Sequence, residues 1–392
     1  MAQAIISRRG GESGSGYATI TFNGVSDLKK TDVAGLIALR SYLAATTLGN
    51  YALFGGGTKS HGSTASADFF ATVDAYNTSL TRTTPTALGT ARSDLAATTV
   101  GDYALFGGGA PGYLTAVDSY DSTLYRRTPL SLSAGRYALA ATTIGSYALF
   151  GGGRNGSDIG FSSTVDAYNT SLTRSTPTAL SQAKECLAAT TVGNYALFGG
   201  GYLGSGNYSS IVNAYNTSLT RSTPTALSQA RYYLAATTVG DYALFGGGYS
   251  NSSHPTVDAY DTSLTRSTPT TLSQTRSSLA ATTVGNYALF GGGDFPSSST
   301  VDAYNTSLTR SIPKPLSSPM SNLAATTVGD YALFGGWNTV NAYYVNNKVQ
   351  VYPGTKYKLG SMSSESTSST MQEIETTAPI TGYIKIKDAT IN

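Results

Sequence analysis

Seven copies of one short segment, YALFGG, occur along this chain of 392 residues. They begin at Tyr51, Tyr103, Tyr147, Tyr195, Tyr242, Tyr287 and Tyr331, so successive copies are 52, 44, 48, 47, 45 and 44 residues apart. Self-similarity at a nearly constant period means that one structural unit is repeated and that neighbouring units bury one another's surfaces. The sequence therefore predicts one large repeat architecture rather than two or three unrelated domains.

Each repeat divides into four short predicted strands. In the unit that starts at Leu234 these are LAATTV, YALFGG, TVDAY and the segment around LTRSTP. A Gly-Asp, Gly-Asn or Gly-Ser dipeptide between the first two suits a two-residue hairpin turn, because glycine accepts positive φ without steric cost. Proline in the fourth strand suits an outer edge, where its missing N–H breaks no ladder bond. The small Ala-Ala-Thr-Thr run suits a crowded centre where seven copies converge.

These features predict an all-β fold, a closed seven-bladed β-propeller over residues 36–353. The last blade is expected to end near VQVYP, at residues 349–353. We expect the glycines after YALF to let backbones approach where the sheet meets the loops. The predicted blades begin at Leu43, Leu95, Leu139, Leu187, Leu234, Leu279 and Leu323.

The repeat resembles the kelch repeat. Paired glycines close the second strand, and a basic residue precedes most blades. A tyrosine recurs in the third strand, at Tyr76, Tyr120, Tyr168, Tyr215, Tyr260, Tyr304 and Tyr343. The fourth strand departs from the kelch pattern, because arginine stands where kelch blades usually carry tryptophan, at Arg82, Arg126, Arg174, Arg221, Arg266 and Arg310. We interpret these arginines as structural, with stems that cover the outer apolar surface of the blade.

Composition excludes several function classes. Charged residues make up 12% of the chain, and 25 Lys and Arg nearly balance 22 Asp and Glu, which predicts no nucleic-acid partner. No signal peptide and no long apolar segment is recognisable, so we expect synthesis in a cytoplasm and no membrane insertion. The single cysteine, Cys186, excludes an intrachain disulfide. His61 and His254 lie alone in separate loops, so neither a metal nor a cofactor is expected.

Differences between repeats concentrate in two places. One is the loop between the second and third strands. The other is the pair of residues before each blade: Ser41-Tyr42, Ser93-Asp94, Tyr137-Ala138, Glu185-Cys186, Tyr232-Tyr233, Ser277-Ser278 and Ser321-Asn322. Because antiparallel strands alternate in direction, both variable sets should emerge on the same face, while the opposite face carries only constant turns.

A face of short loops rich in Tyr, Ser, Gly and Asn on a constant scaffold is typical of a recognition surface. Neutral drift is the alternative, but drift should also have scattered differences over the constant face. The predicted ligand-binding residues are Tyr42, Asp94, Tyr113, Tyr137, Phe161, Glu185, Tyr202, Tyr208, Tyr232, Tyr233, Tyr249, His254, Phe295 and Trp337. Trp337 replaces the third glycine that follows YALF in the other copies, where it either anchors a ligand or covers the seam near the termini.

The ends are predicted to lie outside the ring. Residues 1–35 are interpreted as an N-terminal attachment segment, and residues 354–392 as a Ser/Thr-rich linker with a terminal strand. ATITFNG, at 18–24, and GYIKIKDATI, at 382–391, alternate apolar and polar residues like half-exposed strands. We expect these strands to pair with each other or to extend the sheet of a partner. The chain as a whole resembles kelch-like structural proteins of phages that infect Gram-positive gut bacteria.

That resemblance implies a virion or tail-associated structural and binding protein, made in the host cytoplasm, whose variable face recognises a host glycan or protein. The terminal segments would contact other virion proteins, and the sequence leaves a homo-oligomer open. A purely structural capsid or tail decoration protein and a cytoplasmic kelch-type adaptor are the alternatives. An enzyme would need paired carboxylates or a histidine-centred site near the axis. Asp94 and Glu185, the only carboxylates in the variable pairs, belong to blades two apart, so we predict that the protein is not an enzyme.

Overall fold

In a computed structural model of the chain, every YALFGG copy is the second strand of a small antiparallel sheet. The structure describes residues 17–18, 27–60, 65–156, 160–351, 356–359, 366–367, 372–376 and 382–385. Seven such sheets are arranged in a ring, with the inner strand of each beside the inner strands of its two neighbours. The chain therefore folds as a seven-bladed β-propeller, as predicted.

The strands follow the order of the repeat, from the axis outwards. The inner strands are Ala44–Leu48, Ala96–Val100, Ala140–Ile144, Ala188–Val192, Ala235–Val239, Ala280–Val284 and Ala324–Val328. The second strands are Tyr51–Gly55, Tyr103–Gly107, Tyr147–Gly151, Tyr195–Gly199, Tyr242–Gly246, Tyr287–Gly291 and Tyr331–Gly336. The third strands are Val73–Asn77, Val117–Tyr120, Val165–Asn169, Val212–Asn216, Val257–Tyr260, Val301–Asn305 and Thr339–Val351. The outer strands of the first six blades are Arg82–Thr83, Arg126–Arg127, Arg174–Ser175, Arg221–Ser222, Arg266–Ser267 and Arg310–Ser311.

Small side chains close the ring at its centre. Thr46 and Thr99, from adjacent blades, are hydrogen-bonded at 2.8 Å, and Thr98 and Thr143 repeat this contact at 2.7 Å. Farther out, each YALF phenylalanine packs edge-to-face on the tyrosine of its third strand, at 5.8 to 6.0 Å between ring centroids. The tyrosine hydroxyl reaches the preceding blade, as when Tyr120 donates to the Thr86 carbonyl at 2.8 Å. The repeated tyrosine therefore joins neighbouring blades.

The seventh blade closes the ring with a strand from the other end of the chain. Its sheet has the order Asp27–Asp32, Thr339–Val351, Tyr331–Gly336 and Ala324–Val328. The third strand of this blade runs from Thr339 to Val351, into the residues 349–353 near which we expected the blade to end; residues 352 and 353 lie outside the described residues. Lys30 and Asp32 also contact Ser317, with Lys30 Nζ donating to Ser317 Oγ at 2.6 Å and Ser317 Oγ donating to Asp32 Oδ1 at 3.1 Å. The outer strand of this blade thus comes from the N-terminal region, in which the sequence has no repeat pattern that predicts it.

Buried ion pairs recur in five of the blades. A buried arginine before the blade pairs with the aspartate of its third strand, as in Arg231 and Asp258 at 2.7 Å, where both side chains are 0% exposed. The arginine of the outer strand, Arg266, also pairs with Asp258, at 2.8 Å. Five of the six outer arginines pair in this way with a buried carboxylate, whereas Arg221, in the blade with Asn213, donates to the Ala179 carbonyl at 2.6 Å. The other buried pairs are Arg40–Asp74, Arg92–Asp118, Arg136–Asp166 and Arg276–Asp302.

In two blades both the buried arginine and the third-strand aspartate are replaced by other residues. In blade four, Lys184 and Asn213 take the places of arginine and aspartate, and in blade seven Met320 and Asn341 do so. All four residues are buried. The carboxylate is thus present only where a buried guanidinium balances its charge, which identifies the recurring aspartates as scaffold residues.

The chain divides into two compact units, residues 30–343 and residues 1–29 with 344–392. In the second unit, Tyr17–Ala18 pairs with Gly382–Lys385, which confirms the predicted pairing of the terminal strands for the residues described. Lys356–Leu359 pairs with Gly382–Lys385 and Ser366–Thr367, and Asn347 to Val351 pair with Gln372–Thr376. The one helix in the described ranges is the single 3-10 turn Ser66–Asp68, so this part of the chain has no helix that spans a bilayer.

Candidate functional site: the variable face

Short backbone bridges join the two variable sets. Ser41 and Thr58 exchange backbone hydrogen bonds at 2.8 and 2.9 Å, so the residue pair before blade one lies beside the loop that follows its second strand. The same bridge links Ser93 to Ala110, Tyr137 to Arg154, Glu185 to Tyr202, Tyr232 to Tyr249 and Ser277 to Asp294. The prediction that both variable sets share one face is confirmed. We call this surface the variable face.

Glycines fix the base of each variable loop. Gly56 has φ +71°, and a Cβ atom there would lie 2.5 Å from the Arg92 carbonyl oxygen of the next blade. The N–H of Gly57, at φ +109°, donates to that same oxygen at 2.8 Å. The start of each variable loop is therefore held by the backbone of the neighbouring blade, which confirms the predicted close approach of backbones. The rest of the loop can then differ in sequence without changing this contact. In blade seven Trp337 has φ 56°, and its N–H donates to the Arg40 carbonyl at 2.6 Å.

Seven aromatic side chains from blades three to six form one continuous cluster on the variable face. Tyr232 lies at its centre, with ring centroids 5.3 Å from Tyr202, 5.4 Å from Tyr208, 4.6 Å from Tyr233 and 5.8 Å from Tyr249. Two small hairpins present Tyr202, Tyr208 and Tyr249: Tyr202–Gly204 with Asn207–Tyr208, and Tyr249–Ser250 with Ser252–Ser253. We call the following set the aromatic cluster: Phe161, Tyr202, Tyr208, Tyr232, Tyr233, Tyr249 and Phe295.

The two ends of the aromatic cluster differ in character. At one end Phe161 contacts Tyr202 at 5.8 Å, and the Arg154 guanidinium lies 5.5 Å from the centre of the Phe161 ring. Arg154 also pairs with Glu185 at 3.2 Å. Burial raises the pKa of Glu185, and the neighbouring Arg154 opposes that rise. At the other end Phe295 is 65% exposed, so the cluster runs from a charged edge to an apolar one.

A second aromatic pair lies outside the cluster. Tyr113, in the loop of blade two, stacks on Tyr137 with centroids 5.8 Å apart and an interplanar angle of 15°. Tyr113 is 46% exposed. A Cβ atom at Gly156 would lie 3.1 Å from the Tyr113 ring, so this ring packs over the next loop. The pair therefore offers a second flat aromatic patch near blade three.

The second residue of every variable pair belongs to a ring around the axis. All seven have φ between 51° and 55°. The N–H of each donates to the carbonyl of its counterpart in the preceding blade, at 2.8 to 3.1 Å, so the seven bonds form a closed circle. They line a cavity of about 190 Å³ together with the leucines that begin the blades. We call this set the axial ring: Tyr42, Asp94, Ala138, Cys186, Tyr233, Ser278 and Asn322.

Two predicted site residues stand apart from these groups. His254 shares a hydrogen bond of 2.7 Å between its Nε2 and Ser250 Oγ, and burial lowers its pKa. Trp337 is 43% exposed, and among the described residues no ring contact joins it to the aromatic cluster. His61 lies outside the described residues. In those that the structure does describe, no three His, Cys, Asp or Glu side chains are grouped as metal ligands.

The sequence analysis found the residues of the variable face but not their arrangement. It missed Arg154, which joins Glu185 to the aromatic cluster. It also treated both residues of each variable pair alike, whereas the first bridges to a loop and the second faces the axis. The sequence carried no signal for this division, because the second residue of each pair has φ between 51° and 55° and does not follow the alternation of an extended strand.

Comparisons with known proteins support the fold. No protein family model matches the chain, and no curated protein matches it. A solved structure described as "Structure of YjhT" is similar to this chain, with a TM-score of 0.55 and 13% sequence identity, over 72% of this chain and 99% of that one. A likeness at this identity concerns the fold alone. The seven blades themselves are shown by the sheets of this chain.

Proposed function

We propose that the protein is a non-enzymatic binding protein whose variable face recognises a glycan or a protein on a cell surface. The observation that carries this proposal is the aromatic cluster, in which seven rings from four consecutive blades are in contact on one face. The scaffold beneath it repeats almost without change, so the rings occupy the part of the surface where the blades differ. Tyrosine provides a rigid flat area at low entropic cost, together with a hydroxyl for hydrogen bonds.

The aromatic cluster can contact a glycan and a protein surface through the same groups. A sugar ring stacks its C–H bonds on an aromatic face while its hydroxyls bond to phenol groups. A protein surface uses the same mixture of apolar and hydrogen-bonding area, in which Tyr and Arg are enriched. Arg154, with its guanidinium beside Phe161, adds a charged contact at the edge.

Binding is favoured over catalysis by the placement of the acidic residues. Asp94 lines the axial cavity, whereas Glu185 is 8% exposed and paired with Arg154 at 3.2 Å. Asp94 thus borders the cavity and Glu185 does not, so the two carboxylates do not line one common cavity. General acid and base chemistry at one centre requires two groups within reach of the same substrate.

We place this binding activity on a phage particle, at the capsid or the tail. The placement rests on the resemblance of the repeats to kelch blades and of the whole chain to phage structural proteins. The terminal unit, in which Tyr17–Ala18 pairs with Gly382–Lys385, would attach the propeller to other virion proteins. Immunogold electron microscopy of particles from a producing culture tests this placement, and we expect label on the particle.

Alanine substitutions test the recognition surface. Tyr208→Ala with Tyr232→Ala removes the stacked pair at the centre of the aromatic cluster. We expect adsorption of the labelled protein to host cells, and its signal on a glycan array, to fall at least about tenfold, because central aromatic anchors typically dominate a binding interface. Tyr125→Ala is the control, because Tyr125 is 62% exposed and follows a constant turn rather than a variable loop.

Recognition by the aromatic cluster and placement on a phage particle would be refuted by different results. Unchanged adsorption by a folded Tyr208→Ala, Tyr232→Ala variant would refute recognition by the aromatic cluster. If that variant is still incorporated into particles, the protein is a structural decoration. Absence of label on particles, with the protein soluble in the cytoplasm, would instead favour the adaptor alternative.

A further inference from the structure

The axial cavity has its own lining, apart from most of the aromatic cluster. Its floor is the set of leucines that begin the blades, each 7% exposed, and its wall is the axial ring. At about 190 Å³ it is smaller than the clefts of roughly 300 to 1,000 Å³ that hold drug-sized ligands, so it suits a molecule of fewer than about ten non-hydrogen atoms.

The chain keeps side chains on the axial ring at an energetic cost. Glycine is the residue that best accepts φ near +50°, and the chain uses it in the hairpin turns, as at Gly49 and Gly101, both at φ +53°. None of the seven axial residues is glycine, although each has φ between 51° and 55°. A residue with a Cβ atom costs about 1 kcal/mol in this conformation. Leu80 and its counterparts in the constant outer turns also have positive φ, between 59° and 63°, so the axial ring differs through the side chains that it presents to the cavity and not through strain alone.

The one charged residue that lines the cavity is acidic. Neither lysine nor arginine is among the lining residues, and Asp94 is the one carboxylate there. Besides burial, Asp94 and Asp294 raise the pKa of Tyr42. Burial, and then Glu185 and Asp94, raise the pKa of Cys186. The only formally charged side chain in the cavity lining is thus an acidic one, which favours a cation over an anion.

We propose that the axial cavity binds a small organic cation, an ammonium group carrying methyl or methylene groups. Asp94, whose Oδ2 accepts a hydrogen bond from Ser93 Oγ at 2.6 Å, supplies the negative charge, while Tyr42 and Tyr233, which also border the cavity, attract the cation by cation–π interaction. The leucine floor contacts the carbon atoms. A carboxylate, aromatic rings and an apolar floor together are the groups that an alkylammonium ion requires.

This inference goes beyond the proposed function and does not depend on it. The two sites adjoin, because Tyr233 lines the cavity and its ring centroid lies 4.6 Å from that of Tyr232. They differ in what they bind and in how they are measured. Adsorption to cells reports on the aromatic cluster, whereas calorimetry with a purified small cation reports on the cavity.

Isothermal titration calorimetry of the full chain with choline tests the proposal. Its uncharged isostere, in which a tert-butyl group replaces the trimethylammonium group, has the same shape without the charge. We expect saturable binding of choline and at least about tenfold weaker binding of the isostere. Asp94→Asn should weaken choline binding at least about tenfold, because a charged partner is replaced by a neutral one of the same size.

We expect the Asp94→Asn variant to fold, because Asn322 occupies the equivalent position in blade seven with φ 52°. Asp102→Asn is the matched control, since Asp102 is exposed in a constant turn on the opposite face, and it should leave choline affinity unchanged. Equal affinity for choline and its isostere, or unchanged binding by Asp94→Asn, would overturn the proposal. So would saturable binding of neutral monosaccharides in place of choline, or no saturable binding of choline at all.

Discussion

Replacing Lys184 by methionine should stabilise the protein in a pH-dependent way. Lys184 is 0% exposed and faces Asn213 where five other blades have a buried arginine and an aspartate. Its Nζ donates a hydrogen bond to the Ile211 carbonyl at 2.9 Å, and in the described part of the chain no carboxylate forms an ion pair with it. Burial therefore lowers the pKa of Lys184 from 10.5 to about 7.

The size and the sign of this change in the free energy of unfolding follow from the linkage between protonation and folding. Below about pH 7 the native and unfolded states are both protonated, and the native state bears the full cost of a buried charge. Above pH 10.5 neither state is charged, and that cost is gone. The gap between the two pKa values, at about 1.4 kcal/mol per pH unit, amounts to about 5 kcal/mol. The free energy of unfolding of the wild type should therefore rise between about pH 7 and 10.5 through this group.

Urea unfolding at about pH 6, 8 and 10, followed by near-ultraviolet circular dichroism, measures the effect. Lys184→Met should exceed the wild type by several kcal/mol near pH 6, and this advantage should almost vanish near pH 10. Methionine fits because blade seven has Met320, 1% exposed, at the equivalent position opposite Asn341. Lys59→Met, at an exposed site, is the control and should not alter the pH profile. Parallel profiles for the wild type and Lys184→Met would refute the reasoning.

Two further predictions concern the scaffold. Asp258→Asn leaves the buried Arg231 guanidinium without its carboxylate partner at 2.7 Å and should lower the free energy of unfolding, measured in urea, by about 3 to 5 kcal/mol. A loss below about 1 kcal/mol would contradict the cost that we expect for an unpaired buried guanidinium. Gly247→Ala places a Cβ atom 2.7 Å from the Arg276 carbonyl oxygen at φ +69°, so we expect a loss of about 2 kcal/mol or more. Gly112→Ala, at φ +73° with no atom within 4 Å of the added Cβ, should cost clearly less, and equal losses would show that the clash does not matter.

The sequence predicted most of the scaffold because the repeat reports each blade seven times. Alanine and threonine marked the inner strand and glycine the base of the loop, and both were found there. The prolines follow the two-residue outer strands, as Pro85 follows Arg82–Thr83, and do not lie in them as predicted. The sequence did not predict that Asp27–Asp32 completes the seventh blade. That strand pairs through its backbone with an edge exposed by the last repeat, and backbone pairing leaves no periodic signature in the side chains.

The candidate site was predicted as a face and not as an arrangement. Variability located the loops, and strand direction placed them on one side. The sequence could not show that Tyr202, Tyr208 and Tyr232 meet while Trp337 stands apart, because loop conformation decides which rings touch. Nor could it show that Asp94 and Tyr233, three blades apart, border one cavity.

The sequence by itself determined the number of blades, the order of strands within a blade and the face on which the blades differ, because these follow from local patterns repeated in register. Only the tertiary structure decided which strand closes the ring, which aromatic rings join and what surrounds the axis. Those features depend on contacts between residues far apart in the chain. In the axial ring, one hydrogen bond from each blade forms a circle that no single repeat contains.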